Sequence, residues 1–146
     1  MSVPPDHVDD ETILPDDVLW RRVPTWDGFI TLDKKLGYHR VTTSAFRDDR
    51  DGDPMSVFLA REASLEAVLG EHPGFGVVAF SAQFARSQGQ IMYRSPHDGL
   101  PGHAKVAGIK DRKVQRAFVA VVTWVRRPIG YDEQSLPDPP EASDVT

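Results

Sequence analysis

The chain has 146 residues, no cysteine and a formal net charge of −5. A single domain of this length buries a sizeable core, and without cysteine it has no disulfide framework, thiolate nucleophile or thiolate-bound zinc. No apolar run approaches the roughly 20 residues that a membrane-spanning helix requires, and the acidic start does not resemble a secretory signal peptide. We therefore expect a cytoplasmic protein without membrane contact.

The charge is unevenly distributed along the chain. Residues 1–17 contain six acids and no Lys or Arg, and residues 132–146 contain five acids and again no base. These two segments also hold six of the twelve prolines. Segments with charge of one sign, proline and few large apolar side chains cannot offset the entropy lost on ordering. The sequence therefore predicts two disordered acidic tails around one folded domain at 18–131.

Within that domain, residues 80–131 carry nine bases and two acids, a net charge of +7. A basic face of this kind attracts acidic proteins, phosphorylated ligands or nucleic acid. Aromatic side chains are sparse there, which does not favour an RNA-stacking surface. The alternatives are that these bases are ordinary solvated charge, or that the acidic tails fold back on them.

Apolar patterning in chain order predicts short strands mixed with helices. The first strand covers 18–23 and ends at a proline, the assignment of 29–36 stays open, and the continuous apolar run 75–80 is typical of a central strand. Other strands are predicted at 38–44, 55–60, 90–94 and 103–109, and helices at 62–69, 81–87 and 111–126. Because the elements follow no regular βαβ order, we expect an α+β domain with a mixed or antiparallel sheet and two or three helices.

Helix boundaries are marked by capping residues. Ser81 and Asp111 stand where N-caps belong, and Gly70 is placed as a C-cap. The last helix has apolar residues at helical spacing, but residues 119–125 also have the β-branched character of a strand. Their state stays undecided between the two.

An aspartate-rich loop invites a metal-binding interpretation. Asp49, Asp51 and Asp53 are spaced like the first ligands of a calcium loop, but Pro54 replaces the glycine that this loop requires, and Ala60 replaces its bidentate glutamate. An ordinary polar loop with no metal is the prediction.

Two histidines flank a Pro/Gly-rich loop. The spacing of His97 and His103, with Asp98 nearby, matches no established pair of metal ligands. His103 opens a predicted strand, which makes it the best single candidate for a general base or ligand contact. The alternative is a structural histidine that donates to a backbone carbonyl.

Four bases, Lys110, Arg112, Lys113 and Arg116, cluster at the start of the last predicted helix. The positive end of the helix dipole disfavours bases at this position. Contact with a phosphate or nucleic acid accounts for them, and exposed solubilising charge is the alternative. These four are the predicted partner-binding residues.

Short motifs in the first half of the domain carry a family resemblance. An arginine-bearing strand at 19–23 is followed by a second arginine in 39–41, and a strand at 56–60 leads into an Ala/Leu/Glu helix at 64–69. Over these roughly 50 residues the chain resembles RES domains, which are small NAD-handling domains with an ADP-ribosyltransferase-like fold. It departs from them at His39, where the family has glycine, and in the long acidic loop.

This resemblance implies an NAD site. Arg22 and Arg40 would hold the diphosphate through bidentate contacts, and Tyr38 would stack on the nicotinamide. The same resemblance implies that Glu66 or Glu71 polarises the ribose, with Ser81 as the nearest equivalent of a catalytic serine.

Two main classes of function follow. The first is a non-enzymatic binding protein without a cofactor, which presents a basic face (80–127) to an acidic protein or a phosphorylated ligand. The second is a RES-like enzyme that degrades NAD or transfers its ADP-ribosyl group, and nucleic-acid binding is a third. An enzyme would bring Arg22, Arg40 and a glutamate together in a deep pocket, whereas a binding module would present a flat basic face.

Overall fold

The computed structural model describes residues 8–130. In chain order the elements are β1 (Val18–Val23), β2 (Ile30–Asp33), β3 (Tyr38–Val41), a 3-10 turn (Thr43–Phe46), β4 (Met55–Leu59), α1 (Leu65–Leu69), β5 (Gly76–Ser81), α2 (Ala82–Ser87), β6 (Ile91–Arg94), β7 (His103–Ala107), α3 (Arg112–Val121) and β8 (Thr123–Arg126). None of the helices within 8–130 is long and apolar enough to cross a lipid bilayer.

Six strands form one sheet in the order β6-β7-β4-β1-β5-β8, and every neighbouring pair is antiparallel. Strands β2 and β3 form a separate antiparallel hairpin. The predicted α+β class with an antiparallel sheet is confirmed. The apolar run 75–80 forms β5, which lies between β1 and β8 as a central strand should.

Each face of the sheet carries its own apolar core. The larger core contains α2, α3 and the 3-10 turn, and its centre is the stacked pair Phe46–Phe118, whose ring centroids are 5.3 Å apart. The smaller core lies under α1 on the other face. Alternate residues of β1 serve the two faces, so Leu19 packs in the larger core and Trp20 packs against the smaller one.

Local signals placed most element boundaries correctly. The Ser81 hydroxyl accepts from the Phe84 amide at 3.0 Å, and the Asp111 carboxylate accepts from the Val114 amide at 3.0 Å, so both predicted N-caps are confirmed. The predicted strand 38–44 ends early, at Val41, and the 3-10 turn follows.

The last helix is shorter than its apolar spacing predicts. It ends at Val121, and residues 123–126 pair with β5 as β8, so a helix extending to 126 is wrong and the strand alternative holds for this part. A glycine on β5, Gly76, makes room for the residues of β8 and for the proline that follows them. A Cβ at Gly76 would lie 2.7 Å from ring atoms of both Trp124 and Pro128, so only glycine lets the end of β8 approach so closely.

The N-terminal segment differs from its prediction. Residues 8–17, expected to be part of a disordered tail, pack against the domain. Ile13 is fully buried in the larger core, and the Asp17 carboxylate, only 6% exposed, lies 2.6 Å from the Arg61 guanidinium. That hydrogen bond lowers the pKa of Asp17.

Two further contacts hold the same segment on α2 and β6. The Asp9 carboxylate lies 2.8 Å from the Arg86 guanidinium, and the Asp10 amide donates to the Met92 carbonyl at 2.7 Å. Charge of one sign therefore does not keep residues 8–17 apart from the domain, because the matching bases lie on it. The predictions for 1–7 and for the tail 132–146 fall outside the described residues.

Candidate functional site

Strands β1 and β4 pair over only two residues, Leu19 with Leu59 and Trp20 with Phe58, whereas β1 pairs with β5 along its whole length. Beyond that short ladder the two strands part and leave a cleft of about 620 Å³. Its lining combines arginines, histidines, carboxylates and aromatic rings, namely Arg21, Arg22, Pro24, Trp26, Asp27, Phe29, Ser44, Arg47, Asp48, Asp49, Ser56, Phe58, His72, Phe75, Leu100 and His103.

Arg21 braces the gap between the parted strands. Its Nε donates to the Ala45 carbonyl at 2.9 Å, and Nη1 donates to the Ser56 carbonyl at 2.8 Å and to Asp49 Oδ1 at 3.0 Å. Burial alone raises the pKa of Asp49, but Arg21 and the hydrogen bonds from Ser56 outweigh it and lower the pKa to about 2. Arg21 is therefore engaged on the protein side and is not available to a ligand.

A serine, a lysine and an aspartate meet on the same wall. Lys105 Nζ lies 2.8 Å from Ser56 Oγ, 2.8 Å from Asp53 and 3.3 Å from Asp49, and the Ser56 hydroxyl donates to Asp49 at 2.5 Å. Lys105 is held by ion pairs to two carboxylates, and a carboxylate with a pKa of about 2 is a poor base. This arrangement does not activate Ser56 as a nucleophile, and it fixes the aspartate loop by ion pairs.

Arg22 and Arg47 are the cleft cations without an acidic partner. Arg22 Nη1 donates to the Val68 carbonyl at 3.2 Å, and within residues 8–130 no carboxylate lies at ion-pair distance from either guanidinium. Arg47 is exposed and Arg22 is half-buried. Both keep hydrogen-bond donors for an anion that enters the cleft.

Aromatic rings stand beside these arginines. Trp26 is 60% exposed and meets Phe75 edge-on, with ring centroids 5.6 Å apart. His72 stacks on the same Phe75 at 4.4 Å and an interplanar angle of 9°. An exposed indole next to a stacked ring pair offers apolar surface to a planar ligand group.

His103 lies on the cleft wall with a defined tautomer. Its Nδ1 lies 2.6 Å from the Ser95 carbonyl, which can only accept, so Nδ1 carries the proton and Nε2 keeps its lone pair. Burial lowers the pKa of His103 and so favours the neutral ring. His103 therefore makes the hydrogen bond to a backbone carbonyl that a structural histidine would make. It also lines the cleft.

The structure separates residues that the RES resemblance would bring together. Of those expected to bind or act on NAD, Arg22 and His103 line this cleft, whereas Tyr38 and Arg40 line a different groove beside β8. The expected convergence of Arg22 and Arg40 is wrong. Arg40 belongs to the β2–β3 hairpin, which packs against the end of β8 and away from the gap in the sheet.

The other predicted catalytic residues also lie elsewhere. Glu66 is exposed in the first turn of α1, and Ser81 uses its hydroxyl to cap α2. Neither residue lines the cleft. The position of Ser81 therefore does not support its expected role as the equivalent of the catalytic serine.

The basic face predicted for 80–127 is partly neutralised. Four of its nine bases pair with acids from outside that stretch, and these pairs are Arg86 with Asp9, Arg94 with Asp10 and Glu62, Lys105 with Asp49 and Asp53, and Lys110 with Asp48. The Lys110 side chain is only 4% exposed, so its assignment to a partner surface is wrong. Burial lowers the pKa of Lys110, and the hydrogen bond to Asp48 opposes that effect. Arg112, Lys113 and Arg116 are exposed as expected.

Sequence reasoning did not identify Arg47, Trp26 or the His72–Phe75 pair. Trp26 and His72 belong to segments that the sequence marks only as turns, and Arg47 follows the 3-10 turn. A tryptophan in a turn is the one sequence signal that could have pointed to a contact surface.

Comparison with known proteins adds no relative. No family, no curated protein and no solved structure matches this chain.

Proposed function

We propose that this protein binds a phosphorylated small molecule that also carries a planar ring, in the cleft between β1 and β4. The observation that supports this proposal is that two arginines without acidic partners, Arg22 and Arg47, line the same cleft as the exposed ring of Trp26. Guanidinium groups bind phosphate oxygens through paired hydrogen bonds. A ring stacked on indole accounts for the remaining apolar lining.

Binding accounts for the cleft better than catalysis does. The charged side chains that a reaction needs are held in ion pairs, and Ser56 is locked between Lys105 and Asp49. His103 is the cleft residue best placed to accept a proton near neutral pH, through Nε2. A ligand site that requires no resident cofactor fits these constraints.

NAD consumption is the second candidate. The cleft volume of about 620 Å³ lies in the usual range for small-molecule sites, and NAD carries both phosphates and flat rings. Arg22 occupies this cleft as the RES resemblance implies, but Arg40 and Glu66 do not. Any turnover would therefore rely on His103 and not on the glutamate of the resemblance.

Thermal melting with a graded set of ligands tests the proposal. ADP and NAD combine phosphate with a ring, whereas inorganic phosphate and adenosine each supply one half. A ligand at 100 times its dissociation constant stabilises the folded state by about 2.7 kcal/mol, which raises the melting temperature by several degrees. We expect this rise with ADP or NAD and a much smaller one with either half alone.

Matched variants locate the effect. Arg22→Gln should abolish the ligand-induced rise, and Arg112→Gln, an exposed arginine on α3, should leave it unchanged. No rise with any of the four compounds at millimolar concentration would overturn the proposal. Loss of NAD by the unmodified protein, measured by chromatography and diminished in His103→Gln, would establish the enzyme instead.

Binding of an acidic protein is a further candidate function, and three of its four predicted contact residues are exposed. It is supported by Arg112, Lys113 and Arg116, which are exposed at the positive end of α3, where their charge costs helix stability. We propose these three as its contact residues. Binding to an acidic partner that is unaffected by Arg22→Gln and lost when the three are reversed would support it.

A further inference from the structure

The two edges of the six-stranded sheet are treated differently. Along β6, the N-terminal segment covers the edge, since the Asp10 amide donates to the Met92 carbonyl at 2.7 Å and the Met92 amide donates to Asp9 Oδ1 at 2.9 Å. Strand β8 lies at the opposite edge and pairs only with β5 among the described residues. Proteins usually protect the edge strand of a sheet. The open edge at β8 is therefore a candidate for pairing with another chain.

A groove of about 650 Å³ runs beside β8, between the β2–β3 hairpin and the end of α3. Much of its lining is aliphatic, from Leu36, Val41, Val78, Val119, Ala120, Val122 and Val125. Leu36 is 57% exposed and Val125 is 37% exposed, so this apolar surface is open to a partner.

Two guanidiniums flank this apolar surface. Arg127 is held by the protein, since Nη1 donates to the His39 carbonyl at 3.3 Å and the guanidinium lies 5.4 Å from the centroid of the Tyr38 ring. Within residues 8–130 no carboxylate lies at ion-pair distance from Arg127. Arg40, which is 42% exposed, forms an ion pair with Asp33, with 3.1 Å between Nε and Oδ2.

We propose that β8 and this groove bind an extended peptide segment of another protein, with alternating apolar and acidic residues, which adds to the sheet as a further strand. Backbone groups of β8 pair with the added strand, as in other cases of β-strand addition. Its apolar side chains, all on one face, lie on the aliphatic lining. An acidic side chain at the rim meets Arg127, which is already fixed in place and loses little freedom on binding.

This surface is separate from the cleft between β1 and β4 and does not depend on the function proposed there. The charge selects the partner, because the uncompensated group in the groove is a cation and a basic peptide would be repelled. A second copy of this chain is the competing occupant, through pairing of β8 with β8.

Synthetic ten-residue peptides test the proposal directly. One alternates Val and Glu, and a second alternates Val and Lys. Two further versions of the Val/Glu peptide carry N-methyl groups on odd or on even residues, which removes the hydrogen-bond donors of one edge at a time. Binding is measured by titration calorimetry. We expect the Val/Glu peptide to bind, the Val/Lys peptide to fail, and at least one methylated version to bind ten-fold or more weakly.

Paired variants at Thr123 place the peptide on β8. Thr123 is exposed and lines the groove, so either charge is tolerated there without disturbing the core. Thr123→Glu should weaken binding of the Val/Glu peptide at least ten-fold, whereas Thr123→Lys should retain or strengthen it. Arg22→Gln, in the cleft, should leave peptide binding unchanged.

Three results would overturn the proposal. They are equal binding of the Glu and Lys peptides, full binding of both methylated versions, and no binding of any peptide to the folded protein. Sedimentation that shows a dimer dissociated by Thr123→Glu would assign the surface to a second copy instead.

Discussion

Arg21 and Arg22 are consecutive residues of β1, yet only Arg21 contacts a carboxylate, with Nη1 3.0 Å from Asp49. The guanidinium of Arg22 reaches the Val68 carbonyl of α1 on the other face of the sheet. Because side chains alternate along a strand, two identical residues perform different tasks. Arg21 holds the parted strands in place, and the guanidinium of Arg22 stays available to an anion in the cleft.

This division predicts different costs for the same substitution. Arg21→Gln removes the guanidinium from Asp49, which keeps its bonds from Ser56 and Lys105, and from the Ala45 and Ser56 carbonyls, and we expect a loss of about 3 kcal/mol in the free energy of unfolding. Arg22→Gln removes one hydrogen bond and should cost less than about 1 kcal/mol. Urea denaturation of both variants measures the difference. Equal losses would contradict the assignment of the brace to Arg21.

The pH dependence of stability should report on His103. Burial places its folded-state pKa below the ordinary value of 6.5, so the unfolded chain binds a proton more readily than the folded one. Stability from this group is complete above pH 6.5 and declines as the pH falls from there toward the folded-state pKa. His103→Gln keeps a donor for Ser95 and removes the titration. We expect a smaller loss of melting temperature between pH 7 and pH 5, and an unchanged loss would show that His103 does not contribute.

Ile13 is expected to anchor the N-terminal segment. Its side chain is fully buried in the larger core, so Ile13→Ala should cost about 2–4 kcal/mol of the free energy of unfolding. Val8, 79% exposed, provides the control, and Val8→Ala should change stability by less than about 0.5 kcal/mol. Chemical denaturation compares the two. A small effect at Ile13 would mean that the segment packs less tightly than described.

The three exposed bases of α3 offer a further test. Reversing Arg112, Lys113 and Arg116 to Glu places two acids in the first turn of α3, where each is favourable by roughly 0.3–1 kcal/mol, and a third in the second turn. We expect a melting temperature equal to or above that of the unmodified protein. The same variant should elute at lower salt than the unmodified protein from a cation-exchange column, whose resin is negatively charged. A clear loss of stability would show that these bases make structural contacts.

Much of the fold follows from local signals. Caps at Ser81 and Asp111 and the apolar run of β5 each predict an element without reference to distant residues. The end of α3 is different, because residues 119–125 suit a helix or a strand equally well by pattern. Pairing with β5 and the space at Gly76 decide the outcome, and neither is visible in a local window.

The site depends almost entirely on long-range contacts. The RES resemblance predicts that Arg40 joins Arg22, but the hairpin carries Arg40 to the groove beside β8. Average composition misled in the N-terminal segment as well. The buried side chain of Ile13 and the ion pair of Asp9 with Arg86, 77 residues further along the chain, outweigh the repulsion within a run of acids. Only the folded chain brings these groups together.

The contact of residues 9–10 with β6 has a consequence for assembly. A sheet with two free edges can join copy to copy without limit, whereas a sheet with one covered edge accepts a single neighbour and then stops. Among the described residues, β8 is the edge of the six-stranded sheet that is left open to an added strand. We therefore expect association through the six-stranded sheet to stop at one added strand or a closed pair, and loss of the contacts of Asp9 and Asp10 with Met92 to open its second edge.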